Sequence, residues 1–108
     1  PADGPYALDV VRRTGGAIED VSEEAIVEGI RLLAETEGIF AETAGGVTVG
    51  VTAKLIADGV LDPDAETVLI NSGDGLKTLD AVADKVGPKI TIAPRYEAFT
   101  DFWKEYRG

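Results

Sequence analysis

The chain has 108 residues, 44% of them hydrophobic and 28% charged, the composition of a soluble globular protein with room for a single domain. It contains no cysteine and no histidine, which excludes disulfides, thiolate metal sites, cysteine nucleophiles and every mechanism that needs a histidine base. The formal net charge of −10 argues against nucleic acid and anionic membranes as partners, since both would repel the chain.

The sequence begins with Pro1 rather than methionine, and we expect it to be part of a longer protein. The opening segment PADGPYALDV lacks the basic start and apolar run of a signal peptide. No apolar run approaches the roughly 20 residues that a membrane-spanning helix needs. Together with the absence of cysteine, these features predict a cytoplasmic protein.

Three helices are predicted in the first half of the chain. Residues 6–13 form a short one, with Pro5 in its first turn, where a missing N–H costs little. The second has the clearest boundaries, because Ser22 is a good N-cap and Gly38 is a typical residue after a C-terminus. After a break at the Gly45–Gly46 pair, residues 47–57 predict a third helix.

The second half predicts an α/β fold. The run TVLIN at 67–71 is typical of a strand buried on both faces of a parallel sheet, and helical spacing resumes over 76–86. KITIA at 89–93 alternates like an edge strand, and an aromatic stripe from Tyr96 to Tyr106 predicts a last helix. We therefore expect a partial parallel sheet flanked by helices, in one domain spanning 1–108. So thin a sheet suggests that further strands belong to another part of the protein.

Two places could carry chemistry. Ser72 follows the predicted strand within Ser-Gly-Asp-Gly, where the carboxyl end of a strand meets a helix start and ligands often bind. The alternative is that Ser72 and Asp74 simply cap the next helix. Glu42, followed by small residues, could form a site wall or belong to a solvated turn. No spacing typical of a calcium loop is present.

In order and spacing, several segments resemble the C-terminal portion of the threonine synthases, pyridoxal-phosphate enzymes of fold type II. The resemblance covers residues 1–86, and residues 87–108 carry no motif that we can place. The matching positions are Pro1, the helix start VSEEA at 21–25, the run EGIF at 37–40, Glu42, and SGDGLK at 72–77.

The resemblance implies roles for individual residues. Ser72 would donate a hydrogen bond to the pyridine nitrogen of pyridoxal phosphate, and Asn71 and Gly73 would shape the slot around the ring. Glu42 would lie near the edge of the cofactor, although the usual Glu-Pro of the family is Glu42-Thr43 here. The intact enzyme would convert O-phosphohomoserine and water to threonine and inorganic phosphate.

The family's Schiff-base lysine motif and its Gly- and Asn-rich phosphate loop are not found in this sequence. We therefore expect the chain to be inactive alone and to work with the remainder of its parent enzyme. Two alternatives stay open. The chain could be a stand-alone, non-catalytic module that acts by association, including with copies of itself, or a piece of a threonine dehydratase-like enzyme.

Overall fold

The structure, a computed structural model, describes residues 2–86 and 90–107 and is predominantly helical. Its α-helices are α1 (Gly4–Thr14), α2 (Glu23–Glu37), α3 (Thr43–Ala57), α4 (Ala83–Val86) and α5 (Tyr96–Arg107). A 3-10 helix, Gly75–Ala81, lies between α3 and α4. None of the described helices is long and apolar enough to cross a membrane.

The predicted α/β fold with a parallel sheet is wrong. Residues 67–71 form no strand, and Val68 and Ile70 are 83% and 76% exposed. Of the second predicted strand, Lys89 lies outside the described residues and 90–93 form no strand. A parallel strand exists only when neighbouring strands accept its hydrogen bonds, and no other strand occurs within 2–86 or 90–107. The nearest approach to a sheet there is one isolated antiparallel bridge between Ala41 and Asp74.

The helices α1 and α2 are confirmed, although α1 spans Gly4–Thr14 rather than the predicted 6–13. Pro5 lies in the first turn of α1, and Gly15 ends that helix with a left-handed φ of 72°. The Ser22 hydroxyl accepts a hydrogen bond from the Ala25 N–H at 3.2 Å, and Gly38 ends α2 with φ 68°. These ends depend on the two or three residues around them, which explains why the sequence was sufficient.

Helix α3 begins at Thr43 rather than at Val47. The Gly45–Gly46 pair, predicted to be a break, lies inside the helix and is buried. The backbones of α2 and α3 meet closely there, since a methyl group on Gly29 would lie 2.5 Å from the Gly46 carbonyl oxygen. The glycines therefore permit a helix crossing, and this crossing outweighs their low helix propensity.

The helix predicted over 76–86 is divided into the 3-10 helix and α4. At Thr78 the backbone leaves helical geometry, with φ −132° and ψ 40°. Its hydroxyl accepts a hydrogen bond from the Thr43 N–H at 3.0 Å, which satisfies a free donor in the first turn of α3. This distant contact explains why the helical pattern is interrupted.

Little of the chain is buried. Among the described residues, the fully buried hydrophobic side chains are Ile30, Ala41 and Val82, all near the contacts of α2, α3 and the 3-10 helix. The radius of gyration is 19.2 Å, against about 13 Å for a compact domain of 100 residues. The aromatic helix α5 is confirmed, with Phe99 stacked on Trp103 at 6.0 Å, and most of its aromatic surface is exposed. The chain thus presents much apolar surface that it does not cover itself.

Candidate functional site

The candidate site forms where two segments distant in sequence, 40–45 and 71–78, meet side by side. The Glu42 N–H donates to the Gly73 carbonyl at 3.1 Å, and the Gly75 N–H donates to the Phe40 carbonyl at 2.9 Å. The Phe40 ring also packs against the α-carbon of Gly75, where a methyl group would lie 2.6 Å from ring atoms. Backbone pairing therefore fixes the predicted loop 71–75 against the entry to α3.

A wide pocket of about 480 Å³ opens beside these paired segments. Its wall combines an apolar side from the end of α2 with a polar side from the loop, and the lining residues are Gly38, Ile39, Phe40, Asn71, Ser72, Gly73 and Asp74. No lysine or arginine is among them. The pocket can thus offer hydrogen-bond donors and a flat backbone edge to a ligand, but no positive charge.

In the Ser-Gly-Asp-Gly turn, the capping interpretation holds for Asp74 but not for Ser72. The Asp74 carboxylate accepts from the Leu76 N–H at 2.9 Å and caps the 3-10 helix, as the capping interpretation predicts. The exposed hydroxyl of Ser72 has no hydrogen-bond partner within 2–86 and 90–107. It is available to a ligand in the pocket.

Asn71 approaches the first turn of α3. A methyl group on Gly45 would lie 2.5 Å from the Asn71 side-chain oxygen and 2.6 Å from the β-carbon of Ala41. Gly45 therefore makes room for Asn71, and the loop is seated against α3 immediately before Ser72.

Glu42 lies behind the loop rather than in a solvated turn. Its side chain is only 12% exposed, and its carboxylate forms an ion pair with the Lys77 ammonium at 2.8 Å. A methyl group on Gly73 would overlap this carboxylate, so a side chain there would have to displace it. Glu42 is the N-cap residue of α3, yet its side chain makes no capping hydrogen bond.

The structure thus brings together the four predicted site residues, of which Asn71, Ser72 and Gly73 line the pocket and Glu42 supports Gly73 from behind. Their roles toward a cofactor stay predictions. Lys77 and Thr78 were missed as contributors, because no local pattern signals contacts with residues near the start of α3. Within the described ranges, no three acidic side chains are grouped so that they could hold a metal ion.

Sequence comparisons agree with the motifs. The family described as "Pyridoxal-phosphate dependent enzyme" matches residues 1–73. The chain is 43% identical to a threonine synthase from Methanocaldococcus jannaschii over 81 residues, covering 75% of this chain and 20% of that protein. It is 31% identical to a threonine synthase from Halalkalibacterium halodurans over 105 residues, covering 96% of this chain and 30% of that protein.

A threonine synthase from Bacillus sp. is 35% identical over 80 residues, with 74% of this chain and 23% of that protein covered. The chain therefore spans between a fifth and a third of the length of these relatives. The resemblance to threonine synthases inferred from the motifs is confirmed, and the family match covers most of the chain. The chain belongs to the pyridoxal-phosphate dependent enzymes.

Proposed function

We propose that the chain is the C-terminal part of a cytoplasmic threonine synthase, which acts as a lyase in threonine biosynthesis and converts O-phosphohomoserine and water to threonine and phosphate. The observation that carries this proposal is the exposed Ser72 hydroxyl on the wall of the pocket, which has no hydrogen-bond partner within 2–86 and 90–107. Its position within SGDGLK is the one at which the resemblance expects a Ser or Thr to meet the cofactor ring. The threonine synthases reported above favour this activity over that of a threonine dehydratase.

The pocket residues fit one edge of pyridoxal phosphate. Ser72 can donate a hydrogen bond, and Gly73 leaves its backbone uncovered on a polar wall, as a flat heteroaromatic ring requires. When bound, the cofactor supplies an electron-withdrawing ring that stabilises negative charge on a substrate carbon. A neutral hydroxyl at Ser72 would leave the ring nitrogen largely unprotonated, unlike an aspartate, and so would moderate that withdrawal.

The same residues do not fit the cofactor phosphate. The pocket lining contains no cationic side chain, and the Asp74 carboxylate lies on its wall, so a phosphate there would meet negative charge without compensation. We infer that the remainder of the parent enzyme binds both phosphates and supplies the lysine that holds the cofactor. This chain then contributes one wall of the site and is inactive alone.

A segment exchange tests the proposal. The matching part of the M. jannaschii threonine synthase is replaced by this chain, and phosphate release from O-phosphohomoserine is measured. We expect turnover. A chimera that is folded and loaded with cofactor but releases no phosphate would contradict the assignment.

Two variants of the chimera isolate the Ser72 hydroxyl. Ser72→Ala removes one hydrogen bond and should weaken cofactor binding by about 2- to 10-fold. Ser72→Thr keeps the hydroxyl and should bind as the unaltered chimera does. Equal binding in all three proteins would refute a contact between Ser72 and the ring.

The isolated chain provides a second test with pyridoxal phosphate. We expect no adduct that survives dialysis, because a lysine must be neutral to attack the aldehyde. Lys54 pairs with Glu19 at 2.6 Å, and this hydrogen bond raises the pKa of Lys54 and so lowers its neutral fraction. A stoichiometric, dialysis-resistant adduct, detected by absorbance and mass, would show that the chain has its own cofactor lysine.

Association is the second candidate function, and the exposed apolar surface favours it. Tyr96 and Tyr106 on α5 are 77% and 68% exposed, and Val68 and Ile70 are also uncovered. Exposed apolar side chains of this kind are typical of surfaces that bind another protein. Light scattering over a dilution series separates the candidates, since a chain that stays monomeric at every concentration contradicts self-association.

A further inference from the structure

The ion pair between Glu42 and Lys77 joins the two segments that form the site. Glu42 lies at the start of α3, and Lys77 lies on the 3-10 helix immediately after the loop. The Lys77 Nζ and Glu42 Oε2 atoms are 2.8 Å apart. The Glu42 side chain is 12% exposed and the Lys77 side chain is 64% exposed. One partner is thus largely withdrawn from water, while the other reaches it from the surface.

Withdrawing a carboxylate from water is costly unless an opposite charge or donor compensates it. Among the described residues, Lys77 is the cation that contacts Glu42. Without this partner, the carboxylate would gain by turning outward into water. Such a movement would remove the group against which the α-carbon of Gly73 packs.

The loop between these contacts carries the pocket wall. Asn71 is seated at Gly45 on one side of Ser72, and Gly73 rests on Glu42 on the other side. Ser72 itself makes no hydrogen bond within the described ranges, and its side chain is exposed. The position of its hydroxyl therefore depends on its neighbours.

We propose that Glu42 and Lys77 are a positioning pair: together they hold the Gly73 backbone and thereby set where Ser72 presents its hydroxyl to the cofactor edge. This inference rests on the proposed function for the identity of the ligand. It assigns Glu42 an action through Gly73 rather than a direct contact with the cofactor, and it gives Lys77 a role in the site.

Amide hydrogen exchange of the isolated chain tests the pair without any cofactor. The probes are the Glu42 and Gly75 amides, whose hydrogen bonds join the two segments. Lys77→Gln should accelerate their exchange about three- to fivefold, the effect of losing one partly exposed ion pair, and Lys77→Arg should restore slow exchange. The matched control is Lys54→Gln, which removes the 2.6 Å pair with Glu19 far from the loop and should leave both amides unchanged.

Cofactor affinity in the chimera supplies the second readout, measured by absorbance titration with pyridoxal phosphate. Lys77→Gln should weaken binding, and combining it with Ser72→Ala should add little, because Lys77 acts through Ser72. If the losses of cofactor affinity were fully additive in the double variant, Lys77 would not act through Ser72. Unchanged exchange at Glu42 and Gly75 in Lys77→Gln would overturn the positioning pair itself. A chimera that binds no pyridoxal phosphate would instead refute the proposed function, and amide exchange would still decide whether the pair holds the loop.

Discussion

Replacing Gly46 with alanine tests whether the close crossing of α2 and α3 is what holds this chain together. A methyl group at Gly46 would overlap the Ile26 carbonyl oxygen and lie 2.8 Å from Ile30 Cγ1. Ile30 is 2% exposed and cannot move outward without opening the small core. The two helices would have to separate to accept the methyl group.

Two opposing terms set the expected size of the effect. Exchanging glycine for alanine within a helix stabilises it by about 1 kcal/mol through backbone entropy. Overpacking a tight contact destabilises by about 1–3 kcal/mol, and here the obstructing group is backbone, which yields little. We therefore expect Gly46→Ala to destabilise the chain by up to about 2 kcal/mol.

Gly50 offers a matched control on the same helix. A methyl group there would lie 3.4 Å from the Ala25 carbonyl oxygen and from Val21 Cγ2, an ordinary contact. Gly50→Ala should therefore keep the propensity gain and stabilise by up to about 1 kcal/mol. Since both substitutions exchange glycine for alanine in α3, the propensity term and the change in the unfolded chain cancel in their difference. The remainder, about 1–3 kcal/mol, is the steric term.

Urea unfolding followed by circular dichroism at 222 nm measures both variants against the unaltered chain. The midpoint should fall for Gly46→Ala and should stay or rise for Gly50→Ala, with similar slopes because the same surface is exposed. Equal midpoints for the two variants would refute the steric argument. A midpoint that rises for Gly46→Ala would show that α2 and α3 do not cross as closely as the structure has them.

Three further predictions concern helix ends. Ser22→Ala should destabilise the chain by about 1 kcal/mol and Ser22→Gly by only a few tenths, and equal thermal stability of Ser22→Ala and the unaltered chain would contradict the cap. The pKa of Glu24 is lowered below 4.5 by hydrogen bonds from the backbone N–H of Glu24 itself and from Ser22. The ionised carboxylate therefore stabilises the fold above pH 4.5. This contribution is lost as the pH falls through the lowered pKa. Glu24→Gln should show a smaller fall in thermal midpoint between pH 7 and pH 3, which an unchanged fall would disprove. Thr43→Pro should change the free energy of unfolding by less than about 0.5 kcal/mol, because two effects oppose each other. Proline suits the first position of a helix and stiffens the unfolded chain, but the N–H bonded to Thr78 is lost. A large loss of stability in urea unfolding would show that this hydrogen bond dominates.

The sequence predicted those features of the fold that depend on neighbouring residues. Ser22 and Gly38 bound α2 as expected, because a cap is formed within a few residues of the helix end. The helix α5 was likewise predicted correctly, because its aromatic spacing is a pattern of neighbouring residues. Predictions that needed distant partners were less successful.

The predicted strand at 67–71 shows why. Its β-branched, apolar residues describe what a strand buried in a sheet looks like, but a strand also needs neighbours that accept its hydrogen bonds. Val68 and Ile70 find no such neighbours within the described chain and stay exposed. The predicted start of α3 was wrong because a helix was missed there. Tertiary packing against α2 holds Gly45 and Gly46 in a helix that propensity alone disfavours.

At position 43, where the family resemblance leads one to expect proline, Thr43 makes a hydrogen bond that proline could not make. A proline at position 43 would have no N–H, whereas Thr43 donates its N–H to the Thr78 hydroxyl at 3.0 Å. This hydrogen bond ties the start of α3 to the 3-10 helix and accompanies the break in helical geometry at Thr78. The predicted helix 76–86 is therefore interrupted at the residue whose hydroxyl contacts the start of α3.

Local sequence context singled out Ser72 and Glu42 separately, and only the family resemblance placed them in one site. No periodicity or composition relates Glu42 to Gly73, yet the two contact each other, and a side chain at position 73 would displace the Glu42 carboxylate. The resemblance placed both residues near one cofactor without distinguishing their contributions. The structure distinguishes them: Ser72 faces the pocket with a free hydroxyl, whereas Glu42 is covered by the loop and neutralised by Lys77. Substitutions at Ser72 and at Lys77 should therefore affect different observables in the isolated chain, since only the second changes the hydrogen bonds that join the two segments.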